Sequence, residues 1–207
     1  MNRKAERGRA TRDRLMEIAL RLFAEHGYEG TSIEAVLAES RVSRGALYHH
    51  FPGKEALFEA VLEKVEADIA RQTAQAGADA AGGVPGGVPG PEIDAVAALR
   101  AGCLAWVRLA GDPVVRRVVL VDAPAVVGWH RWREIEERHG FGLLKTALQE
   151  VAAQERFPAE RVEVFAHMLL AAMNEVALLI ARRDGDPAAI AEGEAAVEEL
   201  LDRLLTT

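Results

Sequence analysis

Two short helix signals lie in residues 31–51, separated by only about three residues, and that spacing limits the fold more than any other feature of the chain. The first is TSIEAVLAES. Thr31 and Glu34 have the spacing of a capping box, which predicts a helix start at Thr31 or Ser32, with Ile33, Val36 and Leu37 on its buried face. The apolar pattern breaks at Glu39–Ser40–Arg41. Ser43 then suits the N-cap of another helix, SRGALYHHF, with Ala46, Leu47 and Phe51 for burial. Two short helices so joined form a helix-turn-helix. Upstream, Leu15, Ile18, Ala19, Leu22 and Phe23 recur at helical spacing, and Gly27 is the expected stop. Downstream, Pro52 ends the third helix. A fourth starts near Gly53, carrying Leu57, Phe58, Val61, Leu62, Val65 and Ile69.

The remainder is helical by pattern. Residues 77–91, GADAAGGVPGGVPGP, hold six Gly and three Pro and read as a flexible linker. Helices are predicted near 92–111, 113–121, 125–155 (interrupted at Gly140–Phe141–Gly142), 158–183 and 187–205. Nothing alternates strongly enough to require a strand. The fold class is therefore all-α. A three-helix head spans 1–54 with a basic tail at 1–10, and a larger helical domain spans 55–207.

Charge separates the two parts. The net charge is −7, yet residues 1–54 carry 10 Lys+Arg against 7 Asp+Glu, so only the head has the sign that phosphates attract. Half of the 207 residues are apolar, which supports a packed core. Cys103 is the only cysteine, so no intrachain disulfide can form, and a reducing cytoplasm fits. No run of ~18 uncharged apolar residues suggests a membrane span. No apolar segment follows the basic N-terminus, MNRKAERGRATRDR, as a secretory signal requires.

In a helix-turn-helix the second helix enters the major groove N-terminus first. Here that end is Ser43, Arg44 and Gly45. Arg44 can make a bidentate contact to guanine, and Gly45 permits close backbone approach. Tyr48 and His49 follow one turn on, within reach of phosphates or bases. Lys54 sits in the first turn of the fourth helix, where the helix dipole disfavours it, and an external anion would explain it. Thr31 can act likewise, and Ser32 and Arg41 complete the candidate set. His49 and His50 point about 100° apart on a helix and cannot easily share a metal. No nucleophile or orienting carboxylate stands near them. His50, beside Phe51, is expected to pack on the first helix.

The stretch from about 11 to 62 resembles the DNA-binding domain of the TetR family of bacterial transcriptional regulators. AEHGYEGTS, VSRGALYHHF and GKEALF carry the resemblance. It implies an all-helical homodimer, most often a repressor, that binds a palindromic operator and releases it when a small molecule enters the C-terminal domain. By position it makes Thr31, Tyr48 and Lys54 phosphate contacts, and turns Arg44, Gly45 and His49 toward bases. The chain departs from the family pattern at Arg41, where Gly is common, at Ala46, where Thr is common, and at Glu34, where an Arg is common.

All three tryptophans lie between 106 and 132. Trp106, Trp129 and Trp132, with Asp122, His167 and Asn174, are the candidate pocket, although Trp at helical spacing is more often core. His130 and Glu134 have metal-ligand spacing in a densely charged segment that reads as a solvated face, and neither a metal nor another cofactor is expected. Phe165, Leu169 and Met173 form one apolar stripe, and Val197, Leu200, Leu201 and Leu204 another. Both suit a four-helix seam with a second copy. The expected partners are thus double-stranded operator DNA, a small apolar or amphipathic effector and a second copy. The rival readings are a DNA-binding activator, or a regulator controlled by a protein partner, and, more remotely, an enzyme using the Trp-lined region.

Overall fold

The computed structural model describes residues 3–82 and 94–205, all of whose regular elements are helical. The part of the expected linker beyond residue 82 lies outside the described residues. Its first part is not linker: α4 runs Lys54–Ala80. Gly77 belongs to that helix, where a Cβ would come within 3.0 Å of the Ala98 carbonyl oxygen, so glycine lets the two segments approach.

The chain forms two compact units, residues 1–65 with 113–132, and residues 66–112 with 133–207. The head is thus larger than residues 1–54, because 113–132 packs with it. Its helices are α1 (Arg3–Gly30), α2 (Ile33–Ser40), α3 (Arg44–His50) and the first half of α4. Residues 1–10, expected as a basic tail, are helical from Arg3. Gly27, the expected stop, is instead a kink, with φ 72° and ψ 173°, and one more turn follows it. Leu15, Ala19 and Phe23 of α1 are fully buried, as are Val36, Leu47 and Leu57, Phe58, Val61 and Leu62. Phe58 meets Phe23 and Tyr28 edge-on, at 5.1 and 5.2 Å between ring centroids.

Caps fix the turn between α2 and α3. Ser32, not Thr31, caps α2, accepting from Ala35 N at 3.1 Å. Ser43 caps α3 and accepts from Ala46 N. Arg41 holds a left-handed conformation, φ 56° and ψ 23°, and its N–H bonds to the Leu37 carbonyl to close α2. This is the conformation glycine adopts at lower cost.

The segment Val115–Asp122 is a π-helical stretch, followed by α6 (Ala123–Val126). Its wide turns bury Val115, Val118, Val119, Leu120 and Asp122. The Asp122 carboxylate accepts from the Tyr28 backbone N–H at 2.7 Å and from Arg117 Nε at 3.2 Å. Arg117 lies across Gly27, where any Cβ would collide with its guanidinium.

The second unit holds the rest of α4, α5 (Ala95–Leu109), the end of α7 (Trp129–Glu136), a π-helical turn at Glu137–Phe141, α8 (Gly142–Ala153), α9 (Val162–Arg182) and α10 (Pro187–Leu205). Gly193 lets α10 approach, since a Cβ there would press on Val176, Ile180 and Val107. The helical run Ala159–Arg182, which includes α9, has the length of a membrane span and, in its most apolar window, the mean hydropathy (1.9), by composition alone, with 44% of that window buried in the protein.

Candidate DNA-binding surface and effector cavity

The exposed face of α3 carries the residues expected to read DNA. Ser32, Arg41, Ser43, Arg44, Gly45, Tyr48 and His49 are all exposed. A Cβ at Gly45 would meet nothing within 4 Å, so no contact inside the chain demands glycine there. Arg44 is held by Glu34 of α2: Nη2 donates to Oε1 at 2.8 Å. Their mutual hydrogen bond raises the Arg44 pKa, while a backbone hydrogen bond, and after it the bond to Arg44, lowers that of Glu34. Glu34 thus orients the guanidinium on the exposed face of the helix-turn-helix. His50 is half-buried, its ring facing Gly8 of α1 and Phe51, as expected for a packing residue.

Two of the expected phosphate contacts are occupied inside the head. Thr31 is buried, and its hydroxyl lies 3.0 Å from the Leu22 carbonyl oxygen and 2.9 Å from that of Gly27. Lys54 Nζ donates to the carbonyls of Tyr28 (2.8 Å) and Thr31 (3.0 Å), and sits 4.0 Å from the Tyr28 ring centroid. The carbonyl-rich end of α1 therefore explains a cation in the first turn of α4, with no external anion required.

The second unit holds a cavity of about 550 Å³ that is partly open to solvent. Ile69, Thr73 and Gly77 line it from α4, Leu99, Cys103 and Trp106 from α5, and Leu170, Met173 and Asn174 from α9. The π-helical turn brings His139 and Gly140 to the wall beside Glu136, and Glu66 reaches it from α4. Glu136 is buried, and desolvation pushes its carboxyl up to about 7, despite Arg133 Nη1 at 3.1 Å. Asn174 is buried and its Nδ2 makes no hydrogen bond, although the amide lies close enough to Glu136 to favour the carboxylate. Burial pushes the Cys103 thiol up to about 12, so it behaves as an apolar group.

Of the six residues expected to form a pocket, Trp106 and Asn174 line this cavity and four do not. Asp122 serves Tyr28 and Arg117, as described. Trp132 is core, and Trp129 is exposed beside it, 4.8 Å between ring centroids. His167 is exposed and stacks on Phe141 at 4.1 Å. The two glutamates went unrecognised because Glu66 lies in an otherwise amphipathic helix and Glu136 in a run of charges. Only the buried apolar neighbours of each could have hinted at them.

The expected seam between copies also needs correction. Leu169, Met173, Val197 and Leu201 are buried within the single chain, and Phe165 packs edge-on against Phe157 at 5.1 Å. On α9 and α10 the exposed large apolar side chains are Val164 (60% exposed), Met168 (57%), Leu179 (50%) and Leu200 (41%). Both faces of α9 are apolar, so periodicity alone could not say which one points inward. Leu204 is half-buried.

Residues 15–61 match the family described as bacterial regulatory proteins, tetR family, and residues 96–204 match the tetracyclin repressor-like C-terminal domain. The chain belongs to the TetR family. Its helix-turn-helix is accordingly the DNA-binding part of a transcriptional regulator. This TetR-family chain is 29% identical to a TetR-family transcriptional regulator of Pectobacterium atrosepticum, with TM-score 0.80 over 100% of this chain and 99% of the other. Over 51 residues it is 47% identical to the HTH-type transcriptional repressor AcnR of Corynebacterium efficiens, a match covering 25% of this chain and 27% of the relative. The chain thus spans about a quarter of the length of that curated relative. The regulator FadR of Bacillus subtilis, solved in complex with stearoyl-CoA, shares the fold at TM-score 0.68 and 17% identity, over 91% of this chain and 96% of the other.

Proposed function

We propose that the protein is a homodimeric repressor that binds a palindromic operator through α3 and leaves it when a small apolar or amphipathic molecule enters the cavity of the second unit. The observation that carries this reading is the continuity of α4. Its first half packs in the DNA-binding head, and its second half supplies Glu66, Ile69, Thr73 and Gly77 to the cavity wall. A ligand that favours one disposition of α4 over another biases the spacing of two α3 helices in a dimer, so ligand and DNA oppose each other reciprocally.

Arg44, Gly45, Tyr48 and His49 serve as the reading face, with Arg44 donating to a guanine edge. Ser32, Arg41 and Ser43 flank it and approach phosphates. Val164, Met168, Leu179 and Leu200 form the seam with the second copy. The cavity favours effector control over control by a protein partner, because a partner needs no deep apolar-lined cavity of this size.

Selection of random duplexes with the full-length protein tests the reading. An enriched inverted repeat, whose complex dissociates on addition of compounds that bind the cavity, is the expected result. Enrichment of a single unrepeated site, or compounds that bind without releasing DNA, would contradict it.

A further inference from the structure

The cavity wall has a marked charge bias. Among the described residues it includes Glu66, Glu136 and Glu150, with His139 as its only other titratable side chain besides the inert Cys103, and neither Lys nor Arg. Glu66 and Glu136 are buried, at 4% and 5% exposure, and Glu150 is exposed. Arg133 pairs with Glu136 without lining the cavity. Asn174, 4% exposed on α9, turns an amide into the same space with its Nδ2 lacking a hydrogen bond. That amide also lies close enough to Glu136 to favour its carboxylate, so it is not fully satisfied and has capacity left for a polar group of a bound molecule. The remaining wall is mainly apolar, and Trp106 adds an aromatic surface.

Resting on the reading of this cavity as the effector site, we propose that its ligand is a lipophilic cation, an apolar body bearing a protonated or quaternary nitrogen that is placed between Glu66 and Glu136. Carboxylates among apolar walls favour a positive group and penalise a negative one, and the penalty grows as water is excluded. The indole of Trp106 reinforces the preference, since an aromatic ring also attracts cations. A carboxylate or phosphate headgroup would face glutamates with neither Lys nor Arg, and only the His139 imidazole, among the described wall residues to receive it. The chemistry therefore differs from that of the stearoyl-CoA held by the Bacillus subtilis regulator. The desolvated Glu136 fits as well, because a cation beside it draws the carboxyl into its charged form.

Three probes with one chain and different heads test the proposal: decylammonium, decanol and decanoate, titrated calorimetrically into the full-length protein below their aggregation concentrations. At pH 8 Glu136 is mostly ionised, and the alkylamine keeps its proton. Decylammonium should bind at least ~10-fold more tightly than decanol, with decanoate weakest. Glu66→Gln and Glu136→Gln should each narrow the gap between decylammonium and decanol. The ordering on the wild-type protein decides the matter even if a variant folds poorly. Decanol or decanoate binding as tightly as the amine would overturn the cation preference and leave the effector site standing. No binding by any of the three would overturn both.

Discussion

The Asp122 carboxylate accepts a hydrogen bond from the Tyr28 backbone N–H at 2.7 Å, joining residues 94 positions apart. Tyr28 opens the turn that follows the Gly27 kink, so its N–H has no helical acceptor of the usual kind. Asp122→Ala leaves that donor without its acceptor, at roughly 1–3 kcal/mol. The Tyr28 amide should then exchange with deuterium faster, and the head should unfold at lower denaturant. Asp122→Asn keeps an acceptor and should lie between. Unchanged exchange at Tyr28 in the alanine variant would mean that the contact contributes nothing.

Lys54 gives a second separable outcome. Its ammonium serves two carbonyls in the head, so Lys54→Met should lower head stability by roughly 1–3 kcal/mol. The slope of operator affinity against salt should stay as it is. A slope shallower by about 1 would instead show that the ammonium neutralises a phosphate.

Glu136 predicts a pH effect. Its folded carboxyl titrates at about 7 against an ordinary 4.5. Between those values the folded chain holds a proton that the unfolded chain releases, so this group's contribution to stability falls as pH rises through the window. The groups around it are Arg133 and Glu137 from its own segment, Asn174 from α9, and Glu66 and His139 on the same cavity wall. Glu136→Gln removes the charge altogether. The variant should gain on wild type most at pH 8, by roughly 1–3 kcal/mol, and least near pH 5. A difference independent of pH across that range would refute the assignment.

The exposed apolar stripe is tested by Met168→Glu with Leu200→Glu. A charge beside its symmetry mate in a desolvated seam is costly, so the double variant should be monomeric by light scattering and lose operator affinity. Helical content should persist, because neither side chain is buried in the single chain. A folded double variant that remains dimeric would place the seam elsewhere.

How much of this was legible in the sequence depends on how local each signal is. The caps at Ser32 and Ser43 and the apolar spacing of α1 to α4 are written within a few residues, and these elements could be placed before the structure. The left-handed Arg41 stood out only against the family pattern, in which Gly is common at that turn. What pairs across long distances was not visible. Nothing near Asp122 announces Tyr28, and nothing near Lys54 announces the end of α1. The cavity escaped for the same reason. Tryptophan clustering pointed to Trp129 and Trp132, while the wall is built from five separate helices and a π-helical turn. On α9 the difficulty was ambiguity, with apolar residues on both faces.

The central claim is that α3 reads DNA with Arg44 at its leading end. Anisotropy titrations with a selected operator, and with duplexes changed at each half-site base pair in turn, test it most directly in wild type and Arg44→Ala. The wild type should discriminate at a guanine in each half-site by about 5- to 150-fold, and the variant should lose that discrimination while keeping the others. A variant whose preference matches wild type at every position would contradict the account.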